Sequence, residues 1–281
     1  MSEMGEVSRM VEAIVPERDM CPFDHRSAQR KIKENKTDND ATKLKSALGT
    51  DHVPDIDITL PILPDGKRLP MVDGEQSTKG YGVQFSAHHL VPGNESWPKS
   101  GLYKWMDEKG GNRHVNADIG YDVNARKNGV ALPSHCHPSA LSGWTTNPAF
   151  RKEYAVAAMK ADSRGRQFHD SHRAYSRFVI QCLNKIAAEL EARPGGSAGC
   201  QDEKCPGKRK EPPFDPPYMI MLRLEELARR LSERLVGSVE TWEIPLMTSK
   251  FALIFQKNLS EQEAREALKV KNVFKLEQPK V

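Results

Sequence analysis

Hydrophobic and polar positions are spread unevenly along this chain, and the unevenness divides it. Residues 1–75 hold few large apolar side chains. "RKIKENKTDNDATKLKSALG" has only a faint helical period, and "DHVPDIDITLPILPDGKRLP" is interrupted by proline and glycine. This stretch reads as a polar leader, partly disordered or a delivery segment, with room for one short helix. The pattern sharpens from residue 76. "YGVQFSAHHLVPG" alternates as a strand that enters a turn at Pro92–Gly93. "GYDVNARKNGVALP" places Asn128–Gly129, a tight-turn signal, ahead of a short apolar strand. "TNPAFRKEYAVAAMKAD" opens a helix with Asn147 as N-cap and Pro148 at the first helical position. In "HDSHRAYSRFVIQCLNKIAAELEARPGG", Tyr175, Phe178, Val179, Cys182, Leu183, Ile186 and Leu190 recur at helical spacing. That helix stops at Pro194–Gly195–Gly196.

Residues 76–195 therefore read as the patterned core. A basic Gly/Pro-rich loop, 196–217, separates it from a C-terminal extension, 218–281, that belongs to the same domain or forms its own. The extension reads as helix, strand, strand, helix. Leu224, Leu227, Ala228, Leu231 and Leu235 line one helix face, and "TWEIPLM" and "KFALIFQ" look like strands. "SEQEAREALKV" begins with Ser260 and Glu263 at capping-box spacing. No internal repeat is apparent. The fold class this predicts is α+β.

Composition narrows the functional classes. At 281 residues the chain can bury one large core or two modest ones. Hydrophobic residues make up 38% and charged residues 28%, as in a soluble protein with sizeable solvated loops. No apolar run approaches the length of a membrane span. The N-terminus, "MSEMGEVSRMVEAIVPERDM", carries acids where a secretory signal has a basic start and an apolar core. The expectation is a cytoplasmic product whose export, if any, uses no cleavable signal. Five cysteines, an odd number unevenly spread, argue against a disulfide framework. A formal charge of +4 is compatible with nucleic acid without demanding it.

The candidate chemistry lies in histidines. His88 and His89 stand side by side at a strand end, and His169 and His172 sit immediately before an apolar helix face, where i and i+3 share a side. A strand, a turn and a helix that bring His88 together with His169 and His172 could supply three nitrogens to one divalent cation, leaving a position for water or substrate. The helix N-terminus would favour an incoming phosphate. Phosphodiester cleavage needs a base near neutral pKa and charge stabilisation by a metal. Adjacent strand residues point to opposite faces, so one site served by both His88 and His89 needs a bend, for which Pro92–Gly93 is placed. Paired histidines alone are more often surface residues, as on an exposed strand edge, than a site.

Other groups have plainer accounts. "SHCHP" (His135, Cys136, His137) follows a strand as a loop and reads as a bystander. Cys21 and His25 could join Cys200 and Cys205 in a structural zinc site; the ligand types suit, but the spacing is loose. Lys204, Lys208, Arg209 and Lys210 could touch a phosphate backbone or simply form a solvated loop.

"AHHLVPG", "GYDVNARKNGVALP" and the His-x-x-His-Arg-Ala-Tyr helix start, in that order, resemble the AHH-type branch of the HNH/endonuclease VII nuclease superfamily, known among bacterial polymorphic toxins. The resemblance covers roughly residues 80–192. It implies an HNH-like ββα-metal core with surrounding helices, and a small α/β C-terminal extension outside it. It also implies a metal-dependent endonuclease, DNase rather than RNase, with one divalent ion (Zn, Mg, Mn or Ni). Carried over, His88 is a metal ligand and His89 the base that activates water. Asn128 is the central Asn that fixes the loop behind the histidine strand, and His172 is the last helix histidine. One departure concerns His169: the family spaces its helix-side histidines by four, and here the spacing is three.

The implied partners are DNA, a cognate immunity protein and a secretion-system carrier or chaperone, with no membrane. Delivery would place the protein in the target-cell cytoplasm. The rival class is a catalytically inactive, metal-stabilised module that binds nucleic acid or protein. Retention of His89 favours the enzyme, because a purely structural metal site does not need it. An acyltransferase of the HHxxxDG kind is excluded, since Leu90-Val91-Pro92-Gly93-Asn94 follows the pair, and no HExxH marks a zinc peptidase.

Overall fold

A computed structural model describes residue 10 and residues 34–49, 56–58, 81–110, 114–134, 148–170, 172–191, 212–217 and 219–270. In chain order the elements are α1 (Ala41–Leu48), β1 (Asp57–Ile58), β2 (Tyr81–Gly82), β3 (Gln84–His89), α2 (Tyr103–Met106), β4 (Gly129–Ser134), α3 (Pro148–Ala161), α4 (Arg173–Glu191), α5 (Met219–Leu235), α6 (Lys250–Lys257) and α7 (Glu261–Val270). β1 pairs antiparallel with β2, Ile58 opposite Tyr81, and β3 pairs with β4 in a second two-stranded sheet. Helices with small two-stranded sheets make this an α+β protein.

The chain divides into two compact units. One holds Met1–Ala47, His89–Gly129 and Ser176–Ser232, the other Leu48–His88, Val130–Tyr175 and Glu233–Val281. In the first, α1 forms within the polar leader because Asp40 caps it, its Oδ1 accepting the Thr42 and Lys43 N–H groups at 3.0 Å each. Leu44 is fully buried on its inner side. Phe178, Val179, Cys182, Leu183, Ile186 and Leu190 of α4 are buried at the spacing the sequence sets out. Each such side chain contributes about 1.5–3 kcal/mol by leaving water. The turn after β3 docks on α4 through Gly101 N–H to Asn184 Oδ1 (2.7 Å) and Ser96 Oγ to the Ser176 carbonyl (3.3 Å).

In the second unit the core gathers Ile58, Val83, Tyr154, Phe168, Trp242 and Phe251. Phe168 meets Tyr154 and Phe251 edge to face. Here two strand expectations are corrected. "TWEIPLM" forms short 3₁₀ turns, Val239–Thr241 and Ile244–Leu246, and "KFALIFQ" is helix α6. Phe251, Ala252, Leu253 and Ile254 are all buried, so the run has no polar face and its period cannot separate helix from strand. The deciding signal is Ser249, whose Oγ accepts the Ala252 N–H at 3.1 Å as N-cap. α7 starts on the capping box its spacing predicts: Ser260 N–H donates to the Glu263 carboxylate (2.8 Å) and Glu263 N–H returns to Ser260 Oγ (3.3 Å).

Asn128–Gly129 is a third correction. It is not a two-residue hairpin turn. Arg126–Asn128 is a 3₁₀ turn, and Gly129 (φ −129°) is already extended backbone opening β4. The reason lies in the Asn128 side chain, whose bonds are described below.

Candidate functional site

Three histidine rings meet in the second unit. His88 comes from the end of β3, His169 from the loop after α3, and His172 from the residue before α4. Ring centroids are 4.9 Å apart for His88 and His169, 5.0 Å for His88 and His172, and 5.1 Å for His169 and His172. One nitrogen from each lies within 4.8 Å of the others. His88 is buried, the other two are half-buried, and Tyr175, fully buried, sets its ring 5.0 Å from that of His88. Three imidazoles are a donor set suited to a zinc-like divalent cation that keeps an open coordination position. The three-residue spacing of His169 and His172 is accommodated because His169 stands on a loop, not on the helix.

That loop is held from several sides. His169 N–H donates to the Pro133 carbonyl of β4 at 2.8 Å, and Asp170 N–H to the Thr248 carbonyl at 3.2 Å. Thr248 Oγ1 donates to the Phe168 carbonyl (2.9 Å), and Thr248 N–H to Gln167 Oε1 (3.0 Å). Gln167 N–H donates to the Leu235 carbonyl. Gly165 has φ +64°, and a Cβ there would lie 2.2 Å from the Gly237 carbonyl oxygen, so the turn that feeds the loop admits only glycine. Arg166 adds a buried clamp: its guanidinium forks onto Asp162 at 2.6 and 3.0 Å, donates to the Ala131 carbonyl at 3.4 Å and lies 4.5 Å over the Phe85 ring.

His89 belongs to the first unit. Its Nε2 lies 2.9 Å from Asn124 Oδ1. Burial pushes the imidazole below its ordinary pKa, while the bond to Asn124 and the charge of Asp40 act in the other direction. A neutral ring at neutral pH is the state that can accept a proton. Sequence reasoning missed Asn124. The signal available was its place two residues after Asp122 in "GYDVN", where Asp122 Oδ1 accepts the Asn124 N–H at 3.0 Å as an Asx turn does.

Asn128 spends its side chain on backbone. Its Oδ1 accepts the Val91 N–H at 2.8 Å, and its Nδ2 donates to the Val91 carbonyl at 3.0 Å and the Val123 carbonyl at 2.8 Å. The amide acts as a peptide group would, pairing with the chain just past His89. An Asn128→Ala protein leaves these buried groups unpaired, at about 1–3 kcal/mol each when desolvated. Its melting temperature should fall by roughly 5–10 °C, read by calorimetry. A shift within error of zero would mean that Asn128 does not hold the loop.

Residues 34–40, within the stretch read as leader, lie against the same unit. Asn35 takes the Tyr121 N–H (2.9 Å) and donates to the Met106 carbonyl (2.8 Å). Asn39 Oδ1 takes the Gly93 N–H (2.8 Å). A Cβ on Gly93 would fall 1.9 Å from the Thr37 carbonyl oxygen, so glycine at 93 is what lets this segment approach.

The remaining candidates, Cys21, His25, His135, Cys136, His137, Cys200, Lys204, Cys205, Lys208, Arg209 and Lys210, lie outside the described residues. No described helix is long and apolar enough to cross a membrane.

Comparison with known proteins agrees with the histidine pattern. Residues 71–199 match the model of AHH, a nuclease family of the HNH/ENDO VII superfamily with conserved AHH. The matched span contains His88, His89, Asn124, Asn128, His169 and His172. No curated protein and no solved structure matches the chain. The family match supports nuclease activity and hence a nucleic-acid substrate.

Proposed function

We propose that the chain is a metal-dependent endonuclease that hydrolyses DNA phosphodiester bonds, with His88, His169 and His172 holding one divalent cation and His89 acting as the base. The observation that carries this reading is the convergence of three imidazoles at the end of the Ala87-His88-His89 strand. β3, β4 and α4 carry or frame the trio in the order strand, strand, helix, which supports a ββα-metal core. A divalent cation held there supplies charge stabilisation to the phosphate and the leaving oxygen. His89 contributes a buried, oriented imidazole that takes the proton of the attacking water. A mechanism in which water is the nucleophile has no need of a ribose 2′-hydroxyl, so DNA is a competent substrate.

Resemblance to polymorphic toxins supports an antibacterial effector. It would be made without a cleavable signal, delivered by a secretion system into the target-cell cytoplasm, and matched by an immunity protein and a carrier or chaperone. Lys204, Lys208, Arg209 and Lys210 are assigned to phosphate contact on their charge alone. A structural zinc at Cys21, His25, Cys200 and Cys205 stays a separate proposal, tested by the zinc content of a His88/His172 double variant.

The test is cleavage by the purified full chain. Supercoiled plasmid and structured RNA are incubated separately with Mg²⁺, Mn²⁺, Ni²⁺ and Zn²⁺. Plasmid nicking that chelator abolishes and added cation restores is the expected result. Induced expression in bacteria should fragment chromosomal DNA. A folded protein that cuts neither polymer with any of the four ions would leave the inactive metal-stabilised module as the reading.

A further inference from the structure

A histidine that acts as a base must present a lone pair, and a neutral imidazole has only one. The structure contains the means to choose which nitrogen that is. Asn124 is 8% exposed, and its side-chain amide is anchored at both ends by backbone. Its Oδ1 accepts the Asp40 N–H at 2.9 Å, and its Nδ2 donates to the Asp38 carbonyl at 3.0 Å. Turning the amide over would set an NH₂ against an N–H and an oxygen against a carbonyl, so the backbone settles its orientation. The atom 2.9 Å from His89 Nε2 is therefore the carbonyl oxygen, which can only accept. His89 Nδ1, in contrast, makes no hydrogen bond to any described residue.

We infer that Asn124, locked by Asp38 and Asp40, fixes His89 as the Nε2–H tautomer and so makes Nδ1 the atom that takes the proton of the attacking water. This rests on the nuclease reading for its chemistry, but the tautomer itself does not. Asn124 is a positioning residue: it touches no substrate and acts through His89. The inference also gives residues 38–40 a task. The backbone around Asp40, which caps α1, is what holds the amide in register, so this part of the N-terminal segment works on the second histidine of the AHH pair.

The experiment uses the full chain labelled with ¹⁵N-histidine, free of metal, at about pH 8, where an ordinary imidazole is neutral. Long-range ¹H–¹⁵N correlation distinguishes protonated from unprotonated ring nitrogens, and loss of one ring system in His89→Gln assigns His89. The wild type should show hydrogen on Nε2 and none on Nδ1. Asn124→Ala should shift His89 toward the Nδ1–H form and slow plasmid cleavage at least about tenfold, with cation binding at the histidine trio unchanged. Asn124→Asp keeps an acceptor facing the ring and the Asp40 N–H but sets its second oxygen against the Asp38 carbonyl, so it should keep the Nε2–H tautomer while recovering only part of the rate.

A wild type protonated at Nδ1 overturns the inference, as does an Asn124→Ala protein with unaltered tautomer. A shifted tautomer with wild-type cleavage overturns the role of Nδ1 as proton acceptor and the base role of His89 with it, while leaving the Asn124 bond established. If no cleavage occurs at all, the nuclease reading has failed, and the spectrum still decides the tautomer.

Discussion

A His89→Ala protein should bind its divalent cation as the wild type does yet cleave plasmid DNA about 10²- to 10⁴-fold more slowly, the range a general base contributes. His88→Ala and His172→Ala should behave differently, losing cation and cleavage together. The split follows from where the rings lie. His88 and His172 have ring centroids 5.0 Å apart and each offers a nitrogen to the trio, whereas His89 bonds to Asn124 and is not one of the three. Losing one imidazole of the trio should weaken cation binding sharply, because two imidazoles hold a divalent ion far less tightly than three. Removing His89 leaves the three histidines of the trio whole. Titration calorimetry with Mn²⁺ or Zn²⁺ reads the first property and a plasmid-nicking time course the second. Nicking by His89→Ala at the wild-type rate would remove the base from the mechanism. A His172→Ala protein that binds cation normally would remove the trio.

Much of this site could be read from the sequence, for a physical reason. Histidines at a strand end and at a helix start are rare enough in combination that their order carries information, and the strand and helix that bear them have strong periods. Phe178, Val179, Cys182, Leu183 and Ile186 mark a buried helix face because polar residues fill the intervening positions. "KFALIFQ" lacks such contrast and was legible only through Ser249. Asn128 stood out as half of an Asn–Gly pair, a turn signal, while its actual work is to pair with Val91 across the chain. Asn124, Asp38 and Asp40 were illegible for a different reason. Hydrogen bonds between a side chain and the backbone of a distant polar segment leave no period or composition behind, and residues 34–40 look solvated in sequence because their polar groups find partners far along the chain, at Asn124, Tyr121, Met106 and Gly93. The four anchors of the His169 loop, Thr248, Leu235, Gly237 and Pro133, are scattered for the same reason.

The second large effect is expected three residues before His169. Arg166 and Asp162 form an ion pair whose side chains are 2% and 1% exposed. Two charges taken out of water are stabilised only by each other and by their remaining hydrogen bonds, so truncating one partner strands the other. Arg166→Ala should therefore destabilise the protein by about 3–5 kcal/mol, or roughly 10 °C in melting temperature. Asp162→Ala made in that background should cost much less than Asp162→Ala alone, because the charge it removes is already unpaired. The consequence reaches the site because the guanidinium also joins the Ala131 carbonyl of β4 to the Phe85 ring of β3, next to the loop that presents His169. The loss of that clamp should weaken cation binding by about tenfold even in the fraction that stays folded, measured well below the variant's melting temperature. An Arg166→Ala protein that melts within a degree or two of wild type would show that water reaches Asp162 in solution and that the strands hold the loop without the clamp. Normal cation affinity in a clearly destabilised variant would separate the two roles: Arg166 would then serve the core alone, and His169 would owe its position to Pro133 and Thr248.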